Sequence, residues 1–265
     1  MLELSRTVRF CLSGEMGDLT SPRDNTFGAW PAMRGLGRYY EMDVTCKGEA
    51  DRQTGYFINI KAIDQAVREY ALPILIEKIA DEANAAETPM GALMGALFNA
   101  LDPPLNGTVE QVRFVLTPTL RLGIERNDMS TIVMRQQYEF SAAHRLHVPT
   151  MTDAENQATF GKCNNPAGHG HNYCVEVAAR CPIGSDGVAL DPSELDAAVD
   201  RAVIQELDHK HLNVDVPAFA ELNPSVENIV KVVWQMLERK LPEGCTLDEV
   251  KVWETGKTVC AYRGQ

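Results

Sequence analysis

The order strand, strand, helix, helix, strand, strand can be read twice along this chain, and that repetition limits the fold more than any single motif. In the first pass residues 7–16 and 38–47 alternate as strands around a Gly-, Pro- and Asp-rich loop over 17–37. Asn59 is placed to cap a helix running from Ile60 towards Ala83, with Ile63, Val67, Ala71, Ile74 and Ile79 at helical spacing and a bend expected at Pro73. Thr88-Pro89 opens a second helix through Leu101, which Pro103-Pro104 stops. Strands at 109–116 and 119–126 close the pass.

After a polar joint at 127–130 the order begins again, with a strand at 131–144, a loop at 152–168 and a strand at 172–181. Asp191-Pro192 supplies an N-cap and a first-turn proline for a helix reaching about Leu207. Asn223 or Ser225 caps another helix, whose apolar stripe is Ile229, Val232, Val233, Met236 and Leu237. Strands at 247–254 and 257–263 form a hairpin across Thr255-Gly256. Residues 38–44 also match 171–177, and 111–115 match 249–253, side chain against side chain. Element order, lengths and hairpin positions agree together, so the expectation is a tandem duplication with units at 1–127 and 130–265.

The chemistry is not duplicated. All six His, at 144, 147, 169, 171, 209 and 211, lie in the second unit. In the first, Gly14 falls opposite His144, Leu36 and Arg38 opposite His169 and His171, and Leu116 opposite Glu254. The first unit is therefore expected to keep the fold and lack the reactive groups.

The stretch from Cys163 to His171 carries most of those groups. His169 and His171 are two apart, so on a strand both imidazoles face one side, and a third ligand would close a tetrahedral zinc site. Gly170 between them would leave room for a metal or substrate. Asn165-Pro166 and Ala167-Gly168 form turns, which puts Cys163 across a tight loop from the strand. His144, ending the strand 138–144, is preferred as third ligand over His147, which lies past it. Three His ligands leave a zinc position open, which is the catalytic arrangement. Asp208 and His209 are adjacent at a helix end and cannot share a helical face, so a relay there needs a loop and a partner elsewhere. Read alone they are a solvated terminus, Glu254 and Glu227 are solvated carboxylates, and His211 is structural.

Composition bounds the partners. A net charge of −12 and a pI near 5.0 argue against nucleic acid and membrane surfaces, and any anionic substrate must meet a local basic pocket. The apolar run 90–101 is too short to span a bilayer, and the N-terminus lacks a basic flank followed by an apolar run. The seven Cys are irregularly spaced, with Cys46, Cys174 and Cys260 in apolar strand-like runs, so no disulfide framework is expected. A cytoplasmic protein is the expectation.

The segments 140–146 (Phe-Ser-Ala-Ala-His-Arg-Leu), 160–166 (Phe-Gly-Lys-Cys-Asn-Asn-Pro), 168–173 (Gly-His-Gly-His-Asn-Tyr), 207–210 (Leu-Asp-His-Lys) and 252–255 (Val-Trp-Glu-Thr) together resemble the 6-pyruvoyltetrahydropterin synthases. The resemblance covers the whole second unit in order; the first resembles the family only in its layout, known there as the T-fold. It implies an α+β tandem T-fold in which each unit is a four-stranded antiparallel sheet with two helices on one face, the sheets closing into a barrel on oligomerisation. A homotrimer is favoured, with a dimer as the rival.

The implied activity is that of a zinc lyase converting 7,8-dihydroneopterin triphosphate to 6-pyruvoyltetrahydropterin with release of triphosphate. His144, His169 and His171 would bind Zn2+, Cys163 would be the general base, and Asp208 and His209 would complete a proton relay. Glu254 would accept hydrogen bonds from the pterin amino group and ring N–H, and Ser225 and Glu227 would line the same pocket. A 6-carboxytetrahydropterin synthase is the alternative, but the five residues between Cys163 and His169 resemble the pyruvoyl-forming members, whose gap is the longer. A zinc- and pterin-binding protein without turnover would not need Cys163, Asp208 and His209. A Cys-His-Asp hydrolase would need an oxyanion-hole loop, and none is evident.

Overall fold

Val8, Phe10 and Leu12 alternate with polar neighbours and are buried, so the first segment folds as β1 (Leu2–Leu12) with that face inward. The computed structural model describes residues 1–12, 25–33, 36–80 and 85–265; the end of the strand expected at 7–16, with Gly14, part of the loop after it and the helix end at 81–83 lie outside them. β2 (Arg38–Gly48) pairs antiparallel with β1 from Leu2↔Gly48 to Leu12↔Arg38 and buries Met42, Val44 and Cys46. Asn59 caps α1 (Ile60–Ala66), its side chain accepting from the Lys61 N–H. The helix continues through a π turn, Val67–Ala71, into α2 (Leu72–Ile79). α3 (Met90–Leu101) follows, then β3 (Val109–Val115) and β4 (Leu120–Glu125).

Spatial proximity divides the chain into Met1–Val133 with Cys181–Ala189, and Met134–Arg180 with Leu190–Gln265. The first unit carries the strand order β1-β2-β3-β4 followed by the start of β5 (Asp128–His144). Its helices pack through α1 on β1 and α3 on β3 and β4. The polar joint expected at 127–130 is not a separate linker: the turn is at Arg126 and Asn127, and Asp128 already opens β5.

In the second unit the order is β5, β6 (His169–Pro182), β8 (Thr246–Thr255) and β9 (Thr258–Tyr262); a two-residue β7 (Lys210–His211) pairs parallel with β5. Tyr173, Val175 and Val177 face the core with Val250 and Val252, all fully buried. α5 (Pro192–Val199), capped by Asp191, continues through a π turn, Asp200–Ile204, into the short α6 (Gln205–Leu207). α7 (Val226–Leu237) packs on β8 and β9. The segment expected as a loop at 152–168 holds α4 (Asp153–Phe160), set by a capping box between Thr152 and Glu155. That Thr-x-x-Glu signal stands in the sequence. Among the described residues no helix is long and apolar enough to cross a membrane.

Pairing register repeats between the units. Glu41↔Val115, Met42↔Phe114 and Val44↔Val112 in the first correspond to Cys174↔Trp253, Val175↔Val252 and Val177↔Val250 in the second, as the sequence match requires. Each pairing then slips at the corresponding point, between Thr45 and Cys46 and between Ala178 and Ala179. The π turns also correspond, at Val67–Ala71 and Asp200–Ile204. The second lies near no proline, so Pro73 is accommodated by its π turn rather than being the cause of it. The units part company after that turn: α2 runs on to Ile79, whereas α6 ends at Leu207.

Candidate active site

β5 ends and β6 begins at the same place, and this brings three imidazoles together. His144 is the last residue of β5 and is fully buried; His169 and His171 open β6 on its core-facing side. One nitrogen from each ring lies within 4.8 Å of the other two. His144 Nε2 is 3.1 Å from His169 Nε2, close to the ~3.3 Å that two ligands of a tetrahedral zinc would show at Zn–N distances of ~2.0–2.1 Å. His144 Nδ1 is 2.7 Å from the Pro224 carbonyl, which fixes the ring and turns Nε2 inward. His171 Nε2 and His169 Nδ1 are buried without a hydrogen-bond partner. Burial pushes the His144 pKa down to about 4, the Pro224 carbonyl opposing and His169, His171 and His211 adding to it. Burial also lowers His169, with His171 adding to it and Glu254 opposing. Converging ring nitrogens, with burial favouring the uncharged form of His144 and His169, are what a zinc ion needs.

Gly168, just before β6, has φ +73°, and a Cβ there would stand 2.8 Å from His211 Nε2 and 3.1 Å from the His144 carbonyl oxygen. Only glycine fits this turn. Gly170 is different: a Cβ there would meet Ala142 O at an ordinary 3.6 Å, so the chain's own packing does not require it.

Cys163 sits half-buried in a 3-10 turn, Gly161–Asn164, and its carbonyl accepts from the Leu146 N–H at 2.9 Å. The neighbouring Asn164 is buried; its carbonyl accepts from Arg145 Nε, and its Oδ1 from the Arg145 guanidinium, both at 3.1 Å. The thiol loop is thereby tied to the residues following His144. His147 Nδ1 bonds Asn164 Oδ1 at 3.0 Å and is not in the three-His cluster, as preferred from the sequence. Arg145 and Lys162 line a cavity of about 460 Å³ with Asn164 and Asn165.

Asp208 and His209 lie in the turn that ends α6. Asp208 Oδ1 accepts from the Ser141 N–H at 2.8 Å, and Oδ2 is 2.7 Å from His209 Nδ1. The Ser141 N–H and His209 hold the Asp208 carboxyl below the usual range. His209 has φ +56°, donates its own N–H to the Ser141 carbonyl at 2.6 Å, and leaves its side chain 83% exposed. Among the described residues the pair hydrogen-bonds Ser141, not Cys163.

Glu254, near the end of β8, puts Oε1 3.6 Å from His144 Nε2 and 3.9 Å from His171 Nε2. Ser225 precedes α7 without capping it; its hydroxyl bonds Glu227 instead and, with the Glu227 N–H, lowers that carboxyl. Two neighbours escaped the sequence reading. Tyr173 is fully buried with no partner for its hydroxyl, and burial, then Glu254 and Cys163, push its pKa up. His211, expected to be structural, has a buried, unbonded Nδ1 and contributes to lowering His144. Alternation along 171–177 marks Tyr173 as core, but no local signal announces His211.

An α+β fold with three converging imidazoles, a thiol on a clamped loop and an oriented Asp–His pair defines the class: an enzyme with a candidate metal site. Residues 133–265 match the family model described as 6-pyruvoyl tetrahydropterin synthase, and the chain belongs to that family. Over 126 residues it is 45% identical to the 6-pyruvoyl tetrahydrobiopterin synthase of Drosophila melanogaster, covering 47% of this chain and 75% of the relative. With that of Homo sapiens the identity is 41% over 131 residues, 49% of this chain and 90% of the relative. The solved 6-pyruvoyl tetrahydropterin synthase of Caenorhabditis elegans superposes with a TM-score of 0.48 at 34% identity, over 51% of this chain and 96% of the other.

Proposed function

We propose that the chain converts 7,8-dihydroneopterin triphosphate to 6-pyruvoyltetrahydropterin with release of triphosphate, in tetrahydrobiopterin biosynthesis. The observation that carries this reading is the three-imidazole cluster, with Glu254 at its side, inside the segment matched by the family model. His144, His169 and His171 would hold Zn2+. Bound there, the ion would supply a Lewis acid for the substrate's side-chain hydroxyl oxygens, making adjacent C–H and O–H protons easier to remove.

The chain's own groups do the rest. The Pro224 carbonyl orients His144. Cys163 is the base that takes a proton from the substrate side chain. Asp208 fixes the His209 tautomer, with Nδ1–H towards the carboxylate and Nε2 free to exchange a proton. Glu254 and Glu227 are acceptors for the pterin amino group and ring N–H, with Ser225 holding Glu227 ionised. Arg145 and Lys162, with Asp153 in the same lining, are the cations that an anionic substrate would meet on a chain of net charge −12.

His209, oriented yet 83% exposed and unbonded to Cys163, suits a proton relay offered to the site of another copy, and this supports a homo-oligomer. The repeated register, slip and π turn support a tandem duplication with units at 1–127 and 130–265, each a four-stranded T-fold sheet. In this reading the sheets close into barrels on assembly, a trimer being favoured over a dimer, and the first unit acts as scaffold. A reactive Cys163 fits a reducing, cytoplasmic setting.

Incubating zinc-loaded protein with dihydroneopterin triphosphate and weighing the pterin product tests the activity. A pyruvoyl product is expected; a carboxy product with acetaldehyde, or unchanged substrate, would refute it. A monomeric mass in solution would refute the assembly.

A further inference from the structure

We infer that the first unit carries a ligand site of its own, for a small amphipathic anion, at the position corresponding to the second unit's metal centre. The shared register fixes the correspondence: Arg38 takes the place of His171, Tyr40 that of Tyr173, and Leu116 that of Glu254. These three residues line one cavity of about 120 Å³, together with Leu75, Phe114 and Lys78. Among the described residues no carboxylate lines it.

The site is rebuilt rather than merely stripped. Where α6 stops at Leu207, α2 continues to Ile79, and the added turns bring Leu75 and Lys78 to the cavity. Among the described residues Lys78 meets a carboxylate only at Glu77, 3.7 Å away with both side chains largely exposed, a contact that screening makes weak. Among the described residues Arg38 has no ion pair. Two cations beside an apolar hollow, with no acid among the described lining residues, favour an anionic head on an apolar body.

The chemistry also says what the ligand is not. The cavity contains no imidazole for a metal, and Leu116 in place of Glu254 would leave a pterin's ring donors unpaired. Its volume is close to the ~150 Å³ apolar cavity that accepts benzene, so the body is one ring or a short chain. A ring-sized monocarboxylate meets all of these conditions.

The test is a fluorine NMR titration of the full-length chain with 4-fluorobenzoate, using metal-free and zinc-loaded protein. Saturable binding of equal affinity in both states is expected. Neutral 4-fluorobenzamide should bind about tenfold more weakly, as should 4-fluorobenzoate to an Arg38→Ala/Lys78→Ala variant with an unchanged circular dichroism spectrum, the loss of one good charge-assisted contact. Turnover should be unaltered in that variant. No saturation by about 10 mM, equal binding of acid and amide, or binding that requires zinc would overturn the assignment.

Discussion

Removing His144 should abolish zinc-dependent stabilisation while leaving a folded protein. The side chain is fully buried, and its loss orphans the Pro224 carbonyl, which costs about 1–3 kcal/mol before any metal is considered. The larger effect is on linkage. Zinc held at about 100 times its dissociation constant stabilises the folded state by about 2.7 kcal/mol. At about 2–4 °C per kcal/mol, wild-type protein should therefore unfold some 5–10 °C higher with zinc than in chelator. In His144→Ala the coordination falls from three nitrogens to two, and the difference should shrink to within a degree or two, as roughly expected when binding to the folded state no longer outcompetes binding to the unfolded chain. His147→Ala is the matched control, because that ring bonds Asn164 rather than joining the cluster, and its zinc response should be intact. Circular dichroism melts in chelator and in buffered zinc read all of this. A full zinc shift in His144→Ala, or its loss in His147→Ala, would refute the ligand set.

Gly168→Ala forces a side chain into φ +73° and into the His144 carbonyl, so urea unfolding should show a loss of about 1–3 kcal/mol, with weaker zinc binding by competition against a chelating dye. Glu249 is nearly fully buried and bonds Arg135 at 2.8 Å and Arg263 at 2.8–2.9 Å; Glu249→Gln leaves those charges partly unpaired and should cost about 3–5 kcal/mol in denaturant titration. Burial raises the Glu249 pKa, but Arg263, Lys251 and Arg135 outweigh it and the net shift is downward. Its stabilisation is thus complete above the ordinary glutamate range and lost as pH falls through the lowered value, and melts of wild type and Glu249→Gln should converge on acidification. Asp208→Asn should lower kcat by about 10²–10⁴ with zinc affinity unchanged, since it loses only the orienting group of His209. Activity regained on co-assembling Asp208→Asn with Cys163→Ala chains would show that the relay and the thiol come from different copies; inactivity of the mixed assembly would refute that arrangement.

Much of this was legible in the chain because periodic patterns carry register. Tyr173, Val175 and Val177 alternate with polar residues, and matching 38–44 to 171–177 foretells which residues pair within each unit. His169 and His171 follow from the same period of two. The helix at Asp153–Phe160, expected as loop, buries only Asn156 and so carries no apolar stripe; its start is marked by the Thr152/Glu155 capping box instead. His211 could not be read, because its approach to Gly168 depends on β7 pairing with β5 across a long sequence separation. The contact between Asp208 and Ser141 has the same character: neighbours in sequence cannot face each other on a helix, and only the end of α6 lets the pair bond.

That helix end is where the proposed duplication acquires functional meaning. Counting onward from the corresponding π turns, Leu75 and Ile76 occupy the places of Asp208 and His209, and there α2 simply continues. A first unit therefore lacks more than the three imidazoles: it cannot present the acid–histidine pair, since the turn that bends the two side chains together never forms. If relays are exchanged between copies, a second unit placed beside a first unit would receive Leu75 and Ile76 where it needs a proton acceptor. The first unit is in that case free to have rebuilt its own pocket around Arg38 and Lys78.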